Sequence, residues 1–332
     1  MKVGIFLTNQ HPIGTDAVRA LAEQLDTARM ANDLGLDSLW TGQHYLTSGM
    51  TMLQPLPFLA RVVPEVPEMT IGVAINLLAL HNPVEIAEAY ATLDVISGGR
   101  LVFGAGLGYR DEEYEAFGLG RTGRVARFES NLAALRALWH GEPVDIDLPW
   151  CQVRSKTLSI APIQTSMPVW IAANSDAAVK RATRLGDAWI INPHATYETV
   201  ARQMQIVHQE GPKPGGSQPA MREVFCGPTR AEALEMARPY LGQKYEAYQQ
   251  WGQHKALPGD ERFDVPFESL LDDRFVIGSP EDCYEQLRPW LDLGVNHLIF
   301  RTQWVGMPHA YACKSLQLLA DEVIPALRSA RV

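Results

Sequence analysis

The sequence predicts an α/β protein of the (β/α)8 TIM barrel class, and three observations carry that prediction. Short apolar runs and helical patterns alternate eight times along the 332 residues, and no polar linker divides the chain into halves. The stretch from Met69 to Gly118 also contains a complete β-α-β unit. Within it Ile71, Val73 and Ile75 alternate with small residues, and Leu101, Val102 and Phe103 repeat the theme after a helical run. Gly98 and Gly99 end that helix, where a left-handed residue is needed and glycine carries no Cβ penalty. Gly104, Gly106 and Gly108 follow the second strand at its carboxyl end, the side on which parallel α/β folds place ligands.

Lys2 to Leu7 forms the first strand, and Thr15 or Asp16 opens a helix with Val18, Leu21, Leu25 and Ala28 at helical spacing. Leu36 to Thr41 is the second strand, leaving through Gly42, Gln43, His44 and Tyr45. The β-α-β unit supplies strands three and four, and Phe128, Leu132, Leu135 and Trp139 mark the next helix. Between Gly141 and Met167 the period becomes strand-like around Pro149 and Trp150, an inserted hairpin over one end. Strand five spans Val169 to Ala172, with a helix from Asp176 to Leu185, and strand six spans Ala188 to Ile191, with a helix from Tyr197 to Glu210. Met221 to Cys226 is strand seven, followed by a helix from Arg230. The irregular segment from Gln253 to Asp273 is expected to be a mobile, lid-like loop. His297 to Arg301 is strand eight, and Leu316, Leu319, Val323 and Leu327 form the apolar face of the last helix. The whole chain, 1–332, is read as one domain.

A net charge of −9 with no basic stripe argues against a nucleic-acid partner. Cys151, Cys226, Cys283 and Cys313 are scattered without a C-x-x-C pair, which indicates neither a zinc site nor a disulfide framework and suits a reducing cytoplasm. The nine histidines contain no H-E-x-x-H pair, so no metal is expected. No apolar run reaches membrane-spanning length, and no signal peptide is read at the amino terminus.

Tyr109 stands where the third glycine of a dinucleotide fingerprint would fall, so the glycine loop is either a tight rim turn or a site of another kind. His44, in a polar loop after a strand, is a candidate acid or base, and His81, His194 and His297 are weaker candidates of the same sort. Asn174 and Ser175 either cap the helix that follows or offer its amino terminus to a phosphate. Asp111, Glu112, Glu113 and Glu115 read as a solvated first helical turn.

The segments HNPVEIAEAYATLDVISGGRLVFGAGLGYRDEEYEAFG, RTGRVARFE, PVWIAANSDAAVKRATRLGDAWI and LIFRTQWVGM resemble the bacterial luciferase-like monooxygenase family. The resemblance covers nearly the whole chain and implies a flavin or deazaflavin ring across the carboxyl end of a barrel. It places a non-prolyl cis peptide at Ala74 and Ile75, followed by Asn76, beneath the ring. Gly106, Leu107, Gly108 and Tyr109 would border it, Asn174, Ser175 and Asn192 would lie at the cofactor, and His44 matches the family's active-site histidine. The implied activity is a monooxygenase using reduced FMN, supplied by a separate flavin reductase, and O2 on a small organic substrate. A homodimer is the family expectation. Gln43 and Leu107 depart from the glutamate and arginine that many members carry, which leaves hydride transfer with the deazaflavin coenzyme F420 as an alternative, and a flavin-binding protein without turnover as a third.

Overall fold

The computed structural model describes residues 1–259 and 261–330, so Asp260, inside the expected lid, and Arg331 and Val332 lie outside the described residues. Strand β1 (Lys2–Leu7) leads through β2 (Gln10–Pro12) to helix α1 (Ala17–Asp33), and β3 (Ser38–Thr41) through β4 (Met50–Met52) to α2 (Pro55–Val62). Then come β5 (Thr70–Val73), α3 (Pro83–Ser97), β6 (Leu101–Ala105), α4 (Asp111–Ala116) and α5 (Arg124–Trp139). The antiparallel pair β7 (Val144–Leu148) and β8 (Cys151–Lys156) precedes β9 (Val169–Ala172) and α6 (Asp176–Leu185). Next are β10 (Ala188–Ile190), α7 (Tyr197–Glu210), β11 (Pro219–Cys226), α8 (Arg230–Gln250) and α9 (Phe267–Arg274). The chain closes with β12 (Phe275–Gly278), α10 (Pro280–Asp292), β13 (His297–Arg301), α11 (His309–Leu318) and α12 (Ile324–Ser329).

The main sheet runs β10-β9-β6-β5-β3-β1-β13-β11-β12, every pairing parallel, and it curls with helices on its outer side. Two expectations are corrected. The sheet has nine strands rather than eight, because Phe275–Gly278 pairs with Glu223–Cys226 of β11. It is also an open half-barrel rather than a closed one. The seam between β10 and β11 holds a single bridge, with Ile191 N donating to Pro219 O and Met221 N to Ile191 O. A longer ladder cannot form there because Pro193 and Pro219 have no N–H to donate.

Local chemistry fixes the elements. Asp16 caps α1 by accepting from Val18 N and Arg19 N, Asn82 caps α3 ahead of Pro83, and Gly98 ends α3 at φ 67°. The buried stripe of α1 is Ala20, Gln24, Leu25, Thr27, Ala28 and Ala31, while Val18, expected on that face, is 78% exposed in the first turn, before the packed stripe begins.

A large core lies between sheet and helices, and a second fills the sheet's concave side with Phe6, Trp40, Val102, Trp170, Ile190 and Ile299. Trp40 stacks on Trp170 at 4.8 Å, and Gly72 is obligatory because a Cβ there would stand 2.2 Å from the Trp40 ring. Ser38 Oγ accepts from Trp40 Nε1 at 2.8 Å and donates to His297 Nε2 at 2.7 Å. His297 is therefore corrected as a rim candidate: it opens β13, at the strand end opposite the ligand side, and locks the inner core.

Burial holds His297 and His81 at about 4, below the ordinary 6.5. Each takes up a proton in the unfolded chain before it does in the folded one. Their stabilising contribution is thus complete above pH 6.5 and is lost as pH falls towards 4, on the order of 3 kcal/mol for each. Urea midpoints are expected to drop across that window, and His297→Gln should flatten the drop. An unchanged slope in the variant would refute the assignment.

Candidate functional site

A cavity of about 580 Å³ opens at the carboxyl ends of the strands, within the range of small-ligand sites. The chain reaches it through Thr8 and Asn9 after β1, Gly42 after β3, Ala74 after β5, Ala173 after β9 and Asn192 after β10. Its floor is shaped by two strand ends that approach more closely than side chains would permit. A Cβ on Gly104 would lie 2.0 Å from Val73 O, and one on Gly106 would lie 1.9 Å from Ile75 Cδ1. The peptide between Ala74 and Ile75 is cis, and both residues face the cavity.

Of the residues singled out from sequence, His44, Ala74, Ile75, Leu107, Gly108, Tyr109, Asn174, Ser175 and Asn192 all line this cavity. Asn76 and Gly106 do not. They stand behind the floor, where Asn76 N donates to Gly104 O at 2.7 Å and Gly106 N to Asn76 O at 3.0 Å. Gln43 completes this brace by accepting at Oε1 from Leu77 N at 2.9 Å and Asn76 Nδ2 at 3.3 Å. Its Nε2 donates to Tyr45 OH, whose phenol is pushed up to about 12 by burial and donates to the neutral His81. His81 thus supports the wall.

His44 does not stand alone. Its Nδ1 lies 3.0 Å from Glu113 Oε1, the same oxygen that accepts from Tyr45 N at 2.9 Å and from Arg110 Nη1 at 3.4 Å. Glu113 is fully buried, which corrects its reading as part of a solvated turn. Position 113 faces inward from α4, and Arg110, also buried, balances its charge while holding Tyr45 O at 2.6 Å. The carboxylate accepts Nδ1–H and so fixes the imidazole as the tautomer whose Nε2 lone pair is free, and no hydrogen-bond partner meets Nε2 among the described residues. The edges of Tyr109 and Trp251 flank the ring at 5.7 and 5.5 Å, and Arg110 stacks over Trp251 at 4.7 Å.

The opposite end carries cations that the sequence reading missed. Ser175 is the N-cap of α6, yet its hydroxyl makes no capping bond, and Arg121, Arg124 and Arg181 line the cavity with it. Arg124 Nη1 is buried without a partner, and burial and the nearby Arg121 lower the Arg124 pKa. Asn192 organises the adjoining loop, accepting from His194 N and Ala195 N and donating to Asn174 Oδ1 at 2.9 Å. His194 lines the far side, held neutral by burial, beside Arg301, whose guanidinium covers the Phe6 ring at 4.1 Å.

A curled parallel sheet with a ligand-sized cavity at its carboxyl edge, a braced histidine at one end and a cationic cradle at the other defines an α/β enzyme of cofactor-binding type. The luciferase-like monooxygenase model matches residues 1–297, and the chain belongs to that family. It is 25% identical to the F420-dependent glucose-6-phosphate dehydrogenase of Amycolatopsis mediterranei (strain U-32), over 94% of this chain and 98% of that one. The fold is shared with monooxygenase RslO1 from Streptomyces bottropensis, at TM-score 0.84 and 22% identity, covering 98% and 99% of the two chains. It is also shared with the oxygenating constituent of 3,6-diketocamphane monooxygenase from Pseudomonas putida, in complex with FMN, at TM-score 0.81 and 19% identity, covering 98% of each chain.

Removing Glu113 leaves the buried Arg110 cation only the exposed Glu112 carboxylate at 3.9 Å, so Glu113→Ala is expected to cost about 3 kcal/mol of stability. Glu113→Gln, which still accepts from Tyr45 N, should cost less. Urea denaturation measures both, and a loss below about 1 kcal/mol in the alanine variant would deny the carboxylate its bracing role.

Proposed function

We propose that the protein binds reduced FMN and uses it with O2 to oxygenate a small organic substrate. The observation that carries this reading is the buried, unpartnered Arg124 Nη1 in the same cavity as the uncommitted Ser175 hydroxyl, a donor set suited to a terminal phosphate at a helix amino terminus. A cation is therefore supplied by the first residue of α5, although Leu107 occupies the glycine-loop position. Ala74, Ile75 and Leu107 offer an apolar shelf for a planar ring, so the residues present fit the cofactor at both ends. The bound flavin supplies the electrons and the oxygen activation.

The chain's own residues do the rest. Glu113 holds the His44 imidazole so that Nε2 takes or gives a proton at the substrate or ring edge, and Tyr109 and Trp251 keep water from it. Arg301 and His194 give the substrate polar points on the far wall.

A second reading, hydride transfer with F420, is favoured by the Amycolatopsis relative, whose similarity spans nearly the whole chain. The His44–Glu113 pair serves either chemistry, because both move a proton at the substrate. A homodimer and a partner reductase accompany the first reading as family features.

Anaerobic titration followed by tryptophan fluorescence separates the readings. Saturable binding of reduced FMN, with oxygen consumed on admission of air, is expected. Tight binding of F420 without FMN would select the second reading, and binding of neither would defeat both. His44→Ala should leave the FMN dissociation constant unchanged and lower substrate turnover by about 10²–10⁴-fold. Arg124→Met should narrow the preference for FMN over riboflavin by about 10–100-fold, the worth of a charge-assisted hydrogen bond, whereas an unchanged preference would remove Arg124 from the phosphate site.

A further inference from the structure

Outside the cavity, α1 packs against α11 and brings three ligand-type side chains together: Asp26 of α1 and His309 and Cys313 of α11. His309 and Cys313 are four residues apart and share a helix face. One donor atom from each residue can be chosen so that all lie within 4.8 Å of one another. The motifs weighed from sequence, paired histidines and paired cysteines, do not cover a mixed His–Cys pair.

The hydrogen bonds around His309 show what the cluster lacks. Thr27 Oγ1 donates to Glu23 O at 3.1 Å, so towards His309 Nδ1, 3.4 Å away, it presents a lone pair and accepts Nδ1–H. The other nitrogen, Nε2, then faces Asp26 Oδ2 at 2.9 Å, and Cys313 Sγ lies beside the ring, 3.3 Å from Nε2 and 3.8 Å from Nδ1. A carboxylate and a thiol thus gather beside one imidazole, an arrangement that favours positive charge among them. A proton on Nε2 serves one of the two acceptors well. A divalent cation at about 2.0–2.3 Å from nitrogen, oxygen and sulfur serves all three at once, after a rotation of the Cys313 side chain towards Nε2.

We propose that Asp26, His309 and Cys313 form a binding site for a zinc-class divalent cation, with Thr27 positioning the imidazole and solvent filling the fourth position. A thiolate, an imidazole and a single carboxylate select a borderline-soft metal over magnesium or calcium. Half-buried His309 and Cys313 shelter the site, and Asp26, 64% exposed, leaves it open to water. On binding, the Cys313 thiol releases its proton to solvent, together with any proton on His309 Nε2, so charge and atoms balance. The site would staple α1 to α11.

The test uses the full chain, stripped with chelator and titrated with zinc and with cobalt. The expected result is one equivalent bound, a thiolate-to-cobalt charge-transfer absorption, and a rise in melting temperature with zinc. Cys313→Ser should lose the absorption, His309→Gln the stoichiometric binding, and Thr27→Val about 10–100-fold in affinity. Asp26→Asn, at an exposed position, provides a variant whose folding is not at stake and should weaken binding. Absence of the charge-transfer band in the wild type, or its persistence in Cys313→Ser, would overturn the proposal. Flavin binding in these variants should match the wild type, which separates this site from the cavity.

Discussion

The close approach of two strand ends sets the geometry on which the cavity depends. Val73 O sits where a side chain of residue 104 would be, and the Ile75 side chain sits where one of residue 106 would be. With glycine at both positions the ends of β5 and β6 pack against each other, the Asn76 backbone bonds to both Gly104 and Gly106, and Ala74 and Ile75 rise into the floor. Gln43 then ties the end of β3 to the same backbone. Three adjacent strands are thereby locked at one edge before any side chain with chemistry is considered.

On that base the His44 end of the cavity is built around one buried anion. Glu113 gathers an imidazole, a backbone N–H and a guanidinium on a single oxygen. Carboxylate and guanidinium compensate each other in low dielectric, where either alone would be expensive. The cavity also collects arginines: Arg121 pairs with Asp111 and Arg181 approaches Glu129, while Arg124 keeps a buried donor free. The cavity therefore joins a braced imidazole to a set of arginine donors.

The sequence made much of this legible, for reasons that differ by element. Strands buried on both faces announce themselves as apolar runs, and turn glycines such as Gly98 follow from backbone sterics, so most of the parallel order could be read. The β12 strand was passed over because Phe275–Gly278 is short and adjoins an irregular segment, although Ser279 and Asp282 after it form a capping box that marks a new β-α unit. The open seam depends on Pro193 and Pro219 standing on either side of the Ile191–Ala220 bridge, a relation that no single stretch displays. His44 was visible from its place after a strand, but Glu113 was hidden by its acidic neighbours: helix phase, not composition, turns it inward. Arg124 belongs to a basic segment whose direction only the tertiary fold fixes.

Trp251 has a consequence beyond flanking His44. It lies just past α8, stacks with Tyr248 and receives Arg110 on its face, so the wall over the proton carrier comes from a part of the chain that contributes nothing to the floor. Admission and chemistry are thus written in separate segments. Residues 248–256 can be redrawn to change which molecules enter, while the glycine-set floor and the Glu113 hub stay as they are, giving one scaffold a replaceable doorway.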